Sequence, residues 1–264
     1  MKFGICGFSG RMGHAIFRVM EEKGHHLGAA FDADNSVNIS KNAGDIVNSP
    51  YADCIIHGIN PDDLKNVDCI IDFSSPAATI KLMEILKDVK KPVVIGTTGL
   101  SNEETEVVKK ASSLFPVIHS PNMSLGVNLL FKLTEIASKA LSTDYDVEIF
   151  EAHHRFKKDA PSGTAKRLLE EVKNNMKGLS CAADINGREG IVGERTSNEI
   201  GMHAMRGGSI VGEHTVFYAG MDDRLELTHR ASSRDVFARG AVSAAEFLAG
   251  KTPGLYTMYD VLGF

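Results

Sequence analysis

The N-terminal half alternates short, wholly apolar runs with segments of helical period, and few folds accept that pattern. The runs are Lys2–Cys6, Leu27–Phe31, Cys69–Phe73, Val93–Gly96 and Val117–Ser120. Helical patterns stand at Arg11–Lys23, Pro76–Lys87 and Asn102–Ser113. A strand that is apolar throughout must be covered on both faces, and strands joined by helices run parallel. Pro76 suits a first helical turn, where its missing N–H costs nothing. These features predict an α/β chain whose N-terminal half is a Rossmann-like parallel-sheet domain with right-handed crossovers. Residues 35–68 fit the pattern less well. Asn48-Ser49-Pro50 and Asn60-Pro61 leave a short strand at Asp53–His57 among irregular loops.

The pattern changes near Ser120-Pro121-Asn122. A helical stretch at Val127–Leu141, a strand at Val147–Ala152, a basic loop and a helix from Gly163 to about Lys177 follow. Gly178–Gly208 is rich in glycine and polar residues and reads as loop. Strands are expected at Ser209–Glu213, Thr215–Ala219 and Leu225–Ala231, with Asp222-Asp223 in a hairpin turn. This predicts a second, α+β domain with an open mixed, partly antiparallel sheet. An amphipathic helix at Asp235–Leu248 follows.

Composition narrows the class. Of 264 residues, 43% are hydrophobic and 24% charged, the balance of a soluble globular protein with room for a sizeable core. The net charge of -5 argues against a chain devoted to nucleic acid. None of the four cysteines lies in a C-x-x-C pair, and Cys6 and Cys69 fall in apolar runs. Neither a disulfide framework nor a structural zinc is expected, and a reducing compartment fits. No apolar run approaches the roughly 20 residues that cross a bilayer. Met1-Lys2-Phe3-Gly4 leads straight into the first strand, so a cytoplasmic protein is expected.

Gly7, Gly10 and Gly13 follow the first strand and open the first helix. Glycines there let the backbone turn tightly against a pyrophosphate, which the helix N–H groups and dipole favour. The spacing departs from G-x-G-x-x-G: Ser9 occupies the second glycine position, and Gly13 comes one residue late. A tight turn without a ligand is the competing reading. Asp32 ends the second strand, where an acidic residue would take the ribose hydroxyls. Ala33 and Asp34 follow, and the next cation along this loop is Lys41. NADH is therefore expected over NADPH, with Arg11 the one residue able to reach a 2′-phosphate. Gly96-Thr97-Thr98-Gly99 follows the fourth strand, on the edge where such sheets bind ligands.

Residues 151–166 read Glu-Ala-His-His-Arg-Phe-Lys-Lys-Asp-Ala-Pro-Ser-Gly-Thr-Ala-Lys, and join a strand to a helix. Ser162 is a natural N-cap, and the first N–H groups beyond it can hold a carboxylate. The loop thus sets an anion seat beside proton donors. A solvated basic turn and a phosphate-binding turn are the plainer readings. His153 and His154 are adjacent and have no third ligand in sequence, so no metal ion is expected. G-x-S-x-G is absent, which removes a serine hydrolase.

At this point the residues resemble the 4-hydroxy-tetrahydrodipicolinate (dihydrodipicolinate) reductase family of the diaminopimelate route to lysine. The resemblance rests on Gly7-Phe-Ser-Gly-Arg-Met-Gly13, Asp72-Phe73-Ser74, Gly96-Thr-Thr-Gly99, the 151–165 segment and Arg206-Gly-Gly-Ser-Ile-Val-Gly-Glu-His-Thr215. It implies that Gly7, Phe8, Ser9, Gly10, Arg11 and Met12 hold the cofactor pyrophosphate and Asp32 its ribose. Gly96, Thr97 and Thr98, with Ser120, Pro121, Asn122 and Met123, would line the nicotinamide side. His153 matches the family's catalytic histidine and Lys157 its proton-donating lysine. His154, Gly163 and Thr164 match contacts to the carboxylates of a small dicarboxylate substrate. It also implies a dinucleotide-binding domain of residues 1–124 and 234–264, and a substrate-binding and oligomerisation domain of 125–233 that forms a homotetramer through its sheet. Ala33 replaces the arginine of dual-cofactor members, and Phe156 stands where some members carry a polar residue. Two other readings stay open on the residues alone: a two-domain dehydrogenase of another small acid, and a non-enzymatic NADH sensor.

Overall fold

The computed structural model describes residues 1–141 and 144–264, in two units: Met1–Leu125 with Asp235–Phe264, and Gly126–Arg234. The chain begins with β1 (Lys2–Cys6), α1 (Arg11–Glu22), β2 (His26–Phe31), α2 (Ala43–Val47), β3 (Ile56–His57) and α3 (Pro61–Lys65). Next come β4 (Cys69–Asp72), α4 (Pro76–Val89), β5 (Val93–Ile95), α5 (Asn102–Ala111) and β6 (Pro116–His119). The second unit takes α6 (Leu125–Ala140), β7 (Asp146–His153), α7 (Gly163–Asn175), β8 (Ala183–Ile185), β9 (Glu199–Arg206), β10 (Gly212–Ala219) and β11 (Arg224–Ala231). The chain then returns to the first unit with α8 (Asp235–Leu248), β12 (Gly254–Tyr256) and α9 (Met258–Leu262).

The first unit is a seven-stranded, wholly parallel sheet in the order β12-β6-β5-β4-β1-β2-β3. Its apolar runs divide between two cores. Ile5, Ile71, Val94 and Ile118 face one, with α1 and α8. Ile70, Val93, Ile95 and Val117 face the other, with Leu82, Met83 and Leu86 of α4 and Val108 of α5. Two covered faces are why no strand shows an apolar–polar alternation. Small residues of α8 (Ala238, Gly240, Ala241, Ala244 and Ala245) are buried and let it press close. The order doubles back at β1, with β2 on one side and β4 on the other. In parallel sheets that switch point is where ligands bind.

Local signals account for the helix starts. Ser75 caps α4 with Pro76 at its first position, and Ser101 and Glu104 form a capping box on α5. The short helices α2, α3 and α9, not expected from periodicity, each begin at a side-chain cap: Asn42, Asn60 and Thr257. Five residues are too few to display a helical period. The Asp53–His57 strand contracts to Ile56–His57, with Ile55 in an isolated bridge to Asn42.

The second unit holds a mixed sheet in the order β11-β10-β7-β9-β8. β10 pairs antiparallel with β7 and β11, and β9 pairs parallel with β7 and β8. Two expectations fail here. Residues 178–208 are not all loop, because they contain β8 and β9. β9 reads Glu-Ile-Gly-Met-His-Ala-Met-Arg, without regular alternation, and its place between two strands supplies what its propensity lacks. Ser209–Glu213 and Thr215–Ala219 are likewise not two strands. One strand runs Gly212–Ala219, with His214 buried in it. Tyr218 anchors α6 on the sheet: its hydroxyl lies 2.7 Å from Ser138 Oγ and donates to the Thr134 carbonyl at 3.1 Å.

Candidate active site

The first unit offers a cavity of about 300 Å³ at the carboxyl ends of β1, β2 and β4, lined by Gly7, Ser9, Gly10, Asp32, Ala33 and Ser74 among others. Gly7 has φ +76°, and a Cβ there would stand 2.5 Å from the Phe73 carbonyl. A Cβ on Gly13 would collide with the carbonyls of Phe8 and Gly7. The late third glycine thus still sets the closeness of α1 to the turn. Phe8 is buried in the core against Phe17, so only its backbone faces outward chemistry. Arg11 is exposed and Met12 packs partly against the core.

Asp32 Oδ1 accepts the Ser9 N–H at 3.2 Å. Its Oδ2 is buried without a partner, and so is Ser9 Oγ. A buried carboxylate oxygen with no donor is costly. Ribose hydroxyls would satisfy it, so the residues present fit a dinucleotide. One cation near this edge was not visible in sequence. Lys81 on α4 reaches Asp34, Nζ to Oδ2 2.8 Å.

Gly96 faces the Phe73 ring, and Thr97 is buried. The Thr97 hydroxyl accepts the Ser74 N–H at 3.0 Å, whereas Thr98 is exposed. Beneath them lies the fully buried Asp72, which accepts from the hydroxyls of Ser74 and Thr79. Burial raises its carboxyl above the ordinary range, against those hydrogen bonds. Ser120 Oγ donates to the Asn122 carbonyl at 2.8 Å, Asn122 Oδ1 accepts the Ser124 N–H at 3.0 Å, Pro121 is exposed and Met123 is buried in the core.

The second unit carries the basic loop. His153 ends β7, and its Nδ1 lies 2.6 Å from Glu151 Oε2. Burial pushes the His153 imidazole below its ordinary pKa, with Glu151 opposing. Lys157 Nζ pairs with both oxygens of Asp159 at 2.9 Å. His154 Nδ1 is buried without a partner, and its ring lies 6.3 Å from the exposed Phe156. Ser162 caps α7 by accepting the Ala165 N–H at 3.2 Å, as its sequence position suggested. Gly163 and Thr164 form the first turn of that helix, and a Cβ on Gly163 would meet only open space. Just before that turn, the Ser162 N–H donates at 3.0 Å to the same Glu151 carboxylate that faces His153.

Both halves of the chain match known sequence families. Residues 1–123 match the N-terminal family model of dihydrodipicolinate reductase, and residues 126–262 its C-terminal model. The chain belongs to the dihydrodipicolinate reductase family. Relatives within this reductase family include the 4-hydroxy-tetrahydrodipicolinate reductase of Hahella chejuensis, 46% identical over 99% of this chain and 98% of that one. That of Aromatoleum aromaticum is 44% identical over 100% and 95%. A solved structure, dipicolinate-bound dihydrodipicolinate reductase from Paenisporosarcina sp. TG-14, matches with a TM-score of 0.76 at 23% identity, covering 97% of each chain. As a reductase of this family the chain is a nicotinamide-dependent oxidoreductase.

The site also holds residues to which sequence reading gave no role: Glu151, Arg206 and His214. Glu151 is 1% exposed. The Arg206 guanidinium grips it with both Nη atoms, at 2.7 and 2.8 Å. Burial alone would raise the Glu151 carboxyl, but Arg206, His153 and the Ser162 N–H hold it below its ordinary range. His214 lies 3.0 Å from Ser162 Oγ, and burial drives its pKa down to about 3, so it is neutral. Strand register alone assembles this group, since it sets Glu151 opposite His214 and His153 opposite Arg206.

Proposed function

We propose that the chain reduces 4-hydroxy-tetrahydrodipicolinate to tetrahydrodipicolinate with NADH, in the cytoplasm, as a step of the diaminopimelate route to lysine. The observation that carries this reading is the loop of His153, Lys157 and the α7 N-terminus, which sets proton donors beside a seat for carboxylates. We assign the dinucleotide to the first unit and the substrate to the second. Gly7 to Met12 would wrap the pyrophosphate, Asp32 the ribose, and Gly96 to Thr98 with Ser120 to Met123 the nicotinamide end. The buried, unpartnered Asp32 Oδ2 and Ser9 Oγ support this.

The bound nicotinamide supplies a hydride to the ring carbon conjugated with the substrate imine. Negative charge then builds on the ring, and a neighbouring carbon must take a proton. His153, which burial makes a readier donor, is the general acid, and Lys157 either donates in turn or balances a carboxylate. Gly163 and Thr164 N–H groups and His154 seat the carboxylates. Ala33 beside Asp32 and Asp34 opposes a 2′-phosphate, and Lys81 is already engaged by Asp34. A homotetramer through the second unit's sheet agrees with the exposed Met205, which shares a face with the half-buried Phe150 and Phe217.

The test is oxidation of NADH followed by absorbance with freshly generated 4-hydroxy-tetrahydrodipicolinate. Turnover dependent on that substrate is expected. Tight NADH binding without turnover would favour a sensor, and turnover only with another acid a different dehydrogenase.

A further inference from the structure

His153 is held by more than its own strand. Its Nδ1 faces the Glu151 carboxylate at 2.6 Å, and that carboxylate in turn accepts from Arg206 Nη1 and Nη2 and from the Ser162 N–H at 3.0 Å. An ionised carboxylate only accepts, so the hydrogen between the two side chains belongs to Nδ1. The other ring nitrogen lies over Gly212, where a Cβ would stand 3.2 Å from Nε2. The His214 ring meets His153 edge-on, with centroids 5.2 Å apart.

Resting on the reading of His153 as the proton donor, we propose that Glu151, clamped by Arg206 and the Ser162 N–H, is a positioning residue that keeps a hydrogen on His153 Nδ1 and reserves Nε2 for exchange with the substrate. The charges around the ring agree. Glu151 on β7 is negative, while Arg206 on β9 and Lys157 on the loop are positive. His214 on β10 is neutral, with His229 of β11 opposite it, and Asp159 offsets Lys157. Glu151 therefore sustains the protonated imidazole against its cationic neighbours. Gly212 leaves room for Nε2, which a larger residue on β10 would block.

Nitrogen-15 histidine spectra of the full-length protein test this without substrate. His153 is identified by the signal lost in His153→Asn. Above its pKa the wild-type ring should be the Nδ1–H tautomer, and an Nε2–H ring overturns the proposal. In Glu151→Gln, the His153 pKa should fall by at least about half a unit, since the carboxylate that raises it is gone. The pH at which kcat begins to fall should then move down, with KM little changed. Glu151→Gln leaves the part-buried Arg206 guanidinium without its carboxylate partner, so Glu151→Met/Arg206→Met, which removes both charges, is the companion variant. There the Nδ1–H preference should be lost. Unchanged tautomer and titration in the variants would make Glu151 merely structural. Because the spectra need no turnover, an inactive wild-type protein would sink the proposed reaction and leave this inference to be judged on the ring alone.

Discussion

His153 carries opposing influences in a few ångströms: burial that favours the neutral ring, and a carboxylate that favours the charged one. A residue so poised suits proton transfer near neutrality. His153→Ala and Lys157→Ala should each lower kcat by roughly 10²- to 10⁴-fold, the usual worth of a general acid. Fluorescence titration should find NADH binding within a few-fold of the parent. Near-normal turnover in both would remove them from the chemistry. On the proposed reading, cofactor choice turns on single residues: the carboxylates of Asp32 and Asp34 flank Ala33 at the end of β2, and Lys81 is paired with Asp34. Ala33→Arg should raise kcat/KM for NADPH relative to NADH by about tenfold or more, on the order of 1.4 kcal/mol of added phosphate contact. An unchanged ratio would place selectivity elsewhere.

Among the elements, the turn from β1 into α1 is the most demanding. Its irregular glycine spacing reads as weak evidence for a nucleotide, because a motif is usually judged by its intervals. The structure gives Gly13 its purpose: a side chain there would strike two carbonyls of the turn itself. Gly13→Ala should push α1 away, at a cost of about 1–3 kcal/mol typical of overpacking. Thermal melting should report lower stability and titration weaker NADH binding. A variant matching the parent in both would show that the helix has slack. Elements differ in legibility for a physical reason. The strands of the first sheet are apolar on both faces, so composition alone marks them. β9 owes its existence to β7 and β8 beside it, and no local signal announces it. The expected break at His214 is no break: Gly212 to Ala219 pair without interruption with β11, and the polar His214 is buried within the strand against Ser162.

For the whole molecule, two groups, the buried His214 and the half-buried Glu148, tie stability to pH in the same direction. His214 has its folded pKa lowered from 6.5 to about 3. An unfolded chain therefore binds its proton first, so that stability is full above 6.5 and falls as pH drops toward 3. Glu148, desolvated but held to about 2 by Arg188, His203 and Arg195, contributes above 4.5 and loses that contribution as pH falls toward 2. Melting temperature should fall from pH 7 to 4, the histidine acting before the carboxylate. His214→Asn should flatten the part between pH 6.5 and 5, and an unaltered slope would refute its burial as a neutral ring. The exposed Met205, with the half-buried Phe150 and Phe217 on the same side of the second sheet, gives that sheet a face suited to self-association. Sedimentation velocity should find a tetramer, and Met205→Asp should dissociate it with thermal melting of the protomer retained. A monomeric parent would reject that assembly.

Periodicity and proline placement were enough, on their own, to mark a parallel α/β half, because each acts within one strand or one turn. The glycine turn and the acidic end of β2 pointed to a nucleotide, and the run from His153 to Thr164 gathered donors and a helix cap as neighbours along the chain, but their roles came from the family resemblance. What only the tertiary structure decided lies across strands. Glu151, Arg206 and His214 come together through the register of β7 with β9 and β10, and Lys81 reaches Asp34 from a different helix. Pairing between distant segments depends on how whole elements pack, and a linear reading has no term for it.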